Sequence, residues 1–289
     1  MDAGLRATAG LGRSLMVKRQ RGILDAIGAR VGTKVVYLKA AWADPVLYSG
    51  LGERWGVDID VLVEPRAFDA FAAELRAHGF RGDRLLAHHA LRGLPFRAPA
   101  DLIDVDLHRA LGPRPWFPLD DERLLERAHA WDSVDGPIMG LCAEDQVVHA
   151  VVHYAGARFT LDDRHLGDVL RLLARQAVDW QAVIRTCADA HLTIALHVLA
   201  DMLRRRGGKV PEIPLATAER LRVDLLRRLF NLGGERRVWT TGHVANIRVE
   251  LLALLPLLST RTSALPRFLA SAVAARLRKT SSTSVDAVL

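Results

Sequence analysis

Cysteine is nearly missing from this chain: two occur in 289 residues, Cys142 and Cys187, far apart and in helix-like surroundings. No CxxC pair and no disulfide framework can be built from them, which suits a reducing cytosol. Aromatic residues are scarce as well, at 6%, but the apolar total of 50% is ample for real cores and excludes wholesale disorder. Long hydrophobic runs are absent. The most apolar patch, LLALLPLL at 251–258, falls far short of the roughly 20 residues a membrane span needs. The opening MDAGLRATAGLGRSLMVKRQ has no apolar core of a signal peptide, so we expect a cytoplasmic protein without a membrane segment. Also lacking are a GxxxxGK[ST] loop, a GxGxxG turn and a Ser-His-Asp arrangement; GLGERWG has the wrong spacing for a dinucleotide loop. What the chain does have is basic charge, with formal net charge +7 and pI near 10. That favours association with nucleotides and phosphates but argues nothing about fold. Part of the Arg excess reads as genome composition, and it is a weak footprint of nucleic-acid binding.

The pattern changes once along the chain. Residues 1–20 carry Gly and Arg with little periodicity and read as a loose or partly helical lead-in, followed by a helix over about 20–31 with Ile23, Leu24, Ile27 and Val31 on one face. KVVYL at 34–38 reads as a short buried strand, 40–48 as a short helix, and 58–63 as a second strand. Phe68, Phe71, Ala72 and Leu75 form a helical stripe after Pro65, ending at His78-Gly79. Further strands are expected around 84–91 and at 102–107. From about 118 onward, beyond the Pro-rich LGPRPWFPLD, helix follows helix: 120–130, 143–156, 163–176, 179–205, 215–230, 240–258 and 264–278. The expected organisation is a lead-in over 1–20, a small α/β domain with a mixed sheet and flanking helices (an α+β arrangement) over 21–117, an α-helical domain over 118–279, and a flexible polar tail at 280–289.

Chemistry concentrates in GERWGVDIDVLVEP, residues 52–65. Asp is depleted from strands, yet Asp58 and Asp60 stand at the mouth of one. Two residues apart on a strand, they point to the same face roughly 6–7 Å apart along the chain. Carboxylates so placed repel unless a cation sits between them, and paired hard oxygens are what Mg²⁺ takes, with waters and substrate phosphates completing its octahedron. Asp106, in the later strand IDVDL and followed by His108, completes a triad for two metals about 3.5–4 Å apart if the two strands are neighbours. Asp104 shares its parity and is the other choice. A solvated strand end is the bland account of an isolated DxD.

VVYLKAAWADPVLYSGLGERWGVDIDVLVEP, then VDLHRAL, then EDQVVHAVVHYAGARFTLDDRHLGDVLRLL and VDW, together resemble the uncharacterised nucleotidyltransferase-like family of the DNA polymerase beta superfamily. The resemblance covers roughly residues 30–205. It implies a nucleotidyltransferase that moves an NMP group from an NTP to an acceptor hydroxyl, with Asp58, Asp60 and Asp106 as metal ligands and catalytic acids and Mg²⁺ as the ion. Lys39 matches the family lysine and Arg54 the arginine before DxD; both are expected to bind the triphosphate. One departure is Lys39-Ala40 where the family has LKG. Ala lacks glycine's freedom at φ > 0, but it serves if the turn is helical and the phosphate meets a helix N-terminus.

Other residues divide the same way. His149 and His153 share a helix face at zinc-ligand spacing, without an HExxH glutamate; His153 is the one expected to touch nucleotide, from a helix closing the cleft. Asp168 fits a helix-to-helix hydrogen bond better than catalysis. RRRGGK at 204–209 reads as a helix C-terminus before a glycine stop. The acceptor stays open among protein, peptide, RNA and small molecule, as do the preferred NTP and the oligomeric state. The alternative is a catalytically silent member of the same fold that binds a nucleotide or a partner.

Overall fold

The computed structural model describes residues 3–82, 93–112, 117–156 and 163–230. The strand expected around 84–91 and the helices expected at 240–258 and 264–278 lie outside the described residues. The fold is mixed α+β, as expected. Of the described residues, 3–82, 93–111, 120–146 and 167–177 make one compact unit, and the rest make another.

The first unit opens with α1 (Ala3–Val31). Periodicity alone starts this helix near residue 20; the structure starts it at Ala3. Its glycine-rich first half is poor in helix propensity, and tertiary contacts supply what propensity lacks. Arg13 Nε donates to the Gly56 carbonyl at 2.5 Å, and Ser14 Oγ donates to Asp44 Oδ2 at 2.6 Å. Glycine is required where the helix meets the loop before the second strand: a Cβ on Gly10 would stand 2.4 Å from the Gly52 carbonyl oxygen.

After α1 come β1 (Val36–Tyr37), α2 (Lys39–Leu47), β2 (Ile59–Leu62), α3 (Phe68–Ala77), β3 (Arg81–Gly82), β4 (Gly93–Arg97) and β5 (Val105–His108). The five strands form one sheet in the order β1-β2-β5-β4-β3. β2 and β5 are parallel and central, whereas every other pair is antiparallel. A central parallel pair is covered on both faces, which is why IDVL and VDLH are buried throughout. Alternation puts Ile59, Val61, Val105 and Leu107 on one face, each at most 1% exposed. The opposite face then has to accommodate acids. β5 starts three residues later than the strand expected at 102–107 and ends one residue later, so it takes in His108.

α4 (Asp121–Arg127), the hairpin β6 (His129–Trp131) and β7 (Ile138–Gly140), α5 (Ala143–Gly156) and α6 (Asp163–Arg175) follow. The hairpin interrupts a stretch where sequence pattern suggested only helices. Trp131 anchors it, meeting Trp42 of α2 edge-on with ring centroids 5.3 Å apart and donating from its indole nitrogen to the Leu141 carbonyl.

In the second unit, residues 179–205 form two helices rather than one, α7 (Trp180–Asp189) and α8 (Thr193–Arg205). The break is at His191, whose φ of 59° ends the helix without Gly or Pro. The side chain of Asp179 caps α7 by accepting from the amides of Gln181 and Ala182. RRRGGK behaves as a helix terminus: Gly207 takes φ 82° and its amide bonds the Arg204 carbonyl. α9 (Thr217–Phe230) closes the described chain. Among the described residues, no helix is long and apolar enough to cross a membrane.

Candidate functional site

β2 and β5 are in register with Asp60 opposite Asp106 and Leu62 opposite His108. Because side chains alternate on each strand, Asp60 of β2 and Asp106 and His108 of β5 share the polar face, and Asp58, just before β2, is near enough to feel the charges of Asp60 and Asp106. Backbone bonds secure that register: the Ile59 amide donates to Asp104 O at 2.9 Å and the Val63 amide to His108 O at 3.0 Å. Asp104 has the same parity but is engaged elsewhere, accepting from the Ala98 amide at 2.8 Å and from Arg97.

Asp60 is the centre of the group. Its Oδ1 accepts from Lys39 Nζ at 2.5 Å and lies 3.1 Å from His108 Nε2. His108 Nε2 is also 3.4 Å from Asp106 Oδ2. Burial would push the Asp60 carboxyl up, but the Lys39 ammonium and His108 outweigh it and hold the group well below the usual carboxylate range. Asp58 goes the other way. Half-buried and facing the charge of Asp60, it is pushed up to about 6, with Lys39 offsetting part of the effect. One oxygen is left over: Asp106 Oδ1 is buried and accepts no hydrogen bond among the described residues. A buried carboxylate oxygen without a donor costs about 1–3 kcal/mol or more, so its retention points to a proton or a cation as its partner.

The donors fit a metal. Asp60, Asp106 and His108 each offer a ligand atom, all within 4.8 Å of one another. An ion bonded at about 2.1–2.2 Å holds neighbouring donors about 3.0–3.6 Å apart, which brackets the 3.1 Å and 3.4 Å separations here. Asp58 lies at the open edge of the same face.

Lys39 reaches the acids through an unusual backbone. It is the first residue of α2 and takes φ 48°, the left-handed region, while Leu38 before it is extended. A side chain held there costs of order 1–3 kcal/mol, and here the turn delivers an ammonium onto Asp60. The positive φ falls on Lys39 and not on Ala40, which sits buried in the first turn of α2. Alanine therefore meets no backbone obstacle at the place where the family has glycine.

The remaining expected residues are placed otherwise. Arg54 is 4% exposed, and its Nε donates to both oxygens of Asp168, at 2.9 and 3.1 Å. Tyr48 donates to the same carboxylate at 2.8 Å. Asp168 thus bonds the loop after α2, through Tyr48 and Arg54, and not a second helix as expected. Asp44 organises the loop between: it accepts from Ser14, from the Gly52 amide at 2.9 Å and from the Arg54 amide at 2.7 Å. A shallow cleft beside this loop is lined in part by Ala40, Asp58, Arg54 and Trp55. His153 belongs to the second unit, in a ring cluster with His149 (centroids 6.1 Å apart) and His165 (4.9 Å). Pattern reading paired His149 with His153 but did not see His165 joining them. It also left His108 out of the acid group, although the i, i+2 spacing from Asp106 was there to read.

Three solved structures resemble this chain at low similarity: the antibiotic-resistance factor ANT(2'')-Ia in solution (13% identity, covering 68% of this chain and 93% of that one, TM-score 0.40); the same factor crystallised with adenylyl-2''-tobramycin (14%, 57% and 91%, TM-score 0.39); and an antigenic nucleotidyltransferase-like protein from Paracoccidioides brasiliensis (12%, 65% and 91%, TM-score 0.36). Comparison with curated proteins returns no match. The model of a family described as uncharacterised nucleotidyltransferase matches residues 7–208, well over half of the chain, and to that family this protein belongs.

Proposed function

We propose that this protein transfers a nucleotidyl group from a nucleoside triphosphate to an acceptor hydroxyl. The observation that carries the reading is the buried pair Asp60 and Asp106, in register on adjacent parallel strands, with Asp106 Oδ1 lacking a donor among the described residues. Asp58, Asp60 and Asp106 are the residues to hold divalent metal, with Mg²⁺ the ion that fits the Asp58–Asp60 edge, where both donors are carboxylates. When bound there, the metal supplies charge neutralisation for the phosphates and acidifies the acceptor hydroxyl.

The chain's own groups do the rest. Lys39, at the N-terminus of α2, binds the triphosphate end and stabilises the charge that builds on it as it leaves. The Asp106 carboxylate accepts the proton of the acceptor hydroxyl. The acceptor oxygen bonds to the α-phosphorus while the bond from that phosphorus to the bridging oxygen of the β-phosphate breaks, and pyrophosphate departs. Arg54, tied to Asp168, shapes the wall of the cleft beside Asp58; a contact from it to the triphosphate would need the Asp168 pair to open. His153 is proposed as a nucleotide contact only on the family pattern. The acceptor class is a hydroxyl on a peptide, protein, RNA or small molecule.

The test is divalent-metal-dependent turnover of α-³²P-labelled ATP, GTP, CTP and UTP, with cell extract supplying acceptors. Label transferred by the native chain and not by the Asp58→Asn/Asp60→Asn double variant is the expected result, and the labelled species identifies the acceptor class. Nucleotide binding without transfer from any of the four would overturn the reading in favour of a silent binder.

A further inference from the structure

The polar face of the sheet offers two unlike places for a cation. Asp58 and Asp60 form an outer edge made of carboxylates alone, and Asp58 is only half-buried. The inner group is different. Asp60 is 3% exposed, Asp106 8% and His108 3%, and the three converge through two oxygens and an imidazole nitrogen. His108 Nε2 stands 3.1 Å from Asp60 Oδ1 and 3.4 Å from Asp106 Oδ2, the separations of neighbouring donors around one ion. The register leaves His108 little choice of direction: two residues beyond Asp106 on β5, it must share that face. Asp106 Oδ1, buried and without a donor among the described residues, is the independent sign that the group awaits a cation.

We propose that His108 Nε2 is a direct ligand of the inner metal, so that this position is a mixed nitrogen–oxygen site for a first-row transition ion such as Mn²⁺. The outer, all-oxygen edge then serves the nucleotide's Mg²⁺. The chemistry follows from ligand type. Imidazole nitrogen is a poor partner for Mg²⁺, which favours oxygen and retains its waters, and a better one for the transition series. The inner position is also dry, so an ion there gives up water in exchange for three protein donors, which suits an ion less strongly hydrated than Mg²⁺. This inference rests on reading the acid face as a metal site.

The experiment is pulsed electron paramagnetic resonance of Mn²⁺ added alone to the full chain, prepared once with natural and once with ¹⁵N-labelled histidine. A coupling from a directly bonded imidazole nitrogen, which changes on labelling, is expected. It should vanish in His108→Gln, while Mn²⁺ affinity falls at least about 10-fold and Mg²⁺ affinity changes little. The labelled native chain answers the question even if the variant does not fold. Mn²⁺ bound with oxygen ligands only would overturn the proposal and assign His108 to a hydrogen bond on Asp60. Absence of Mn²⁺ binding overturns it too. Turnover of labelled NTP with Mg²⁺ in the same preparation keeps either failure distinct from failure of the transferase reading.

Discussion

Two buried charge networks stand within one unit of this protein and are built on opposite terms. In the first, Asp44 and Asp168 tie the loop from Tyr48 to Trp55 to its surroundings, and each of their carboxylate oxygens has a donor. In the second, Lys39, Asp58, Asp60, Asp106 and His108 crowd onto one sheet face. There Asp58 is pushed up to about 6 by burial and by its neighbour's charge, and Asp106 retains an oxygen without a donor. A closed network costs desolvation and returns rigidity. An open one costs stability unless a cation or substrate meets it, and the proposed chemistry is placed there for that reason. The closed one holds the wall beside it.

The comparison can be broken most sharply at Arg54. Arg54→Ala leaves the Asp168 carboxylate buried without its main cation, and should lower unfolding free energy by about 3–5 kcal/mol, read by urea denaturation. A variant of native stability with weakened NTP binding would instead move Arg54 into the open network. Next in size is Asp60→Asn, expected to reduce label transfer on the order of 10²–10³-fold, about 2.7–4 kcal/mol, measured at saturating NTP.

Asp58→Asn separates function from stability. It should lower transfer while raising the melting temperature above pH 7, because burial and the charges of Asp60 and Asp106 disfavour the ionised carboxyl. A lower melting temperature would show that Asp58 is already satisfied. Ser14→Ala removes one charge-assisted bond to Asp44 and should cost about 1.5–3 kcal/mol, without changing metal affinity.

The smallest effect is the acid limb of stability at Asp135. Burial pushes its carboxyl up, but hydrogen bonds and charge from Arg21, with help from Ser133, prevail and hold it below 3.8. A depressed folded value means the contribution is present above the unfolded value and is lost as pH falls through the folded one. Asp135→Asn should therefore flatten stability against pH below about 4 and leave the neutral side of the curve little changed apart from the lost pair.

How far the chain could be read without its structure depends on the range of the interaction. The shared face of Asp60 and Asp106 and the helix α5 were legible because local alternation and helical period carry them. The Arg54–Asp168 pair was not legible, since the partners are 114 residues apart and no local pattern points to it. The lead-in, expected as loose or partly helical, is helical from Ala3 for the same reason: Gly10 and Gly12 argue against a helix, and distant contacts at Gly10, Arg13 and Ser14 argue for it. The split between α7 and α8 carried no Gly or Pro to announce it, because His191 takes the left-handed conformation itself.

By itself, then, the sequence determined which face of the sheet would carry acids, because strand alternation is a property of the backbone that no distant contact can change. It also set the family and the order of its motifs. Only tertiary structure decided which cations meet those acids. The parallel register of β2 and β5 brings His108 to Asp60 and Asp106, the left-handed turn at Lys39 adds an ammonium, and Asp168 draws Arg54 away. Charge pairing acts over a few ångströms and is indifferent to separation along the chain, so its outcome is settled by packing and not by spacing.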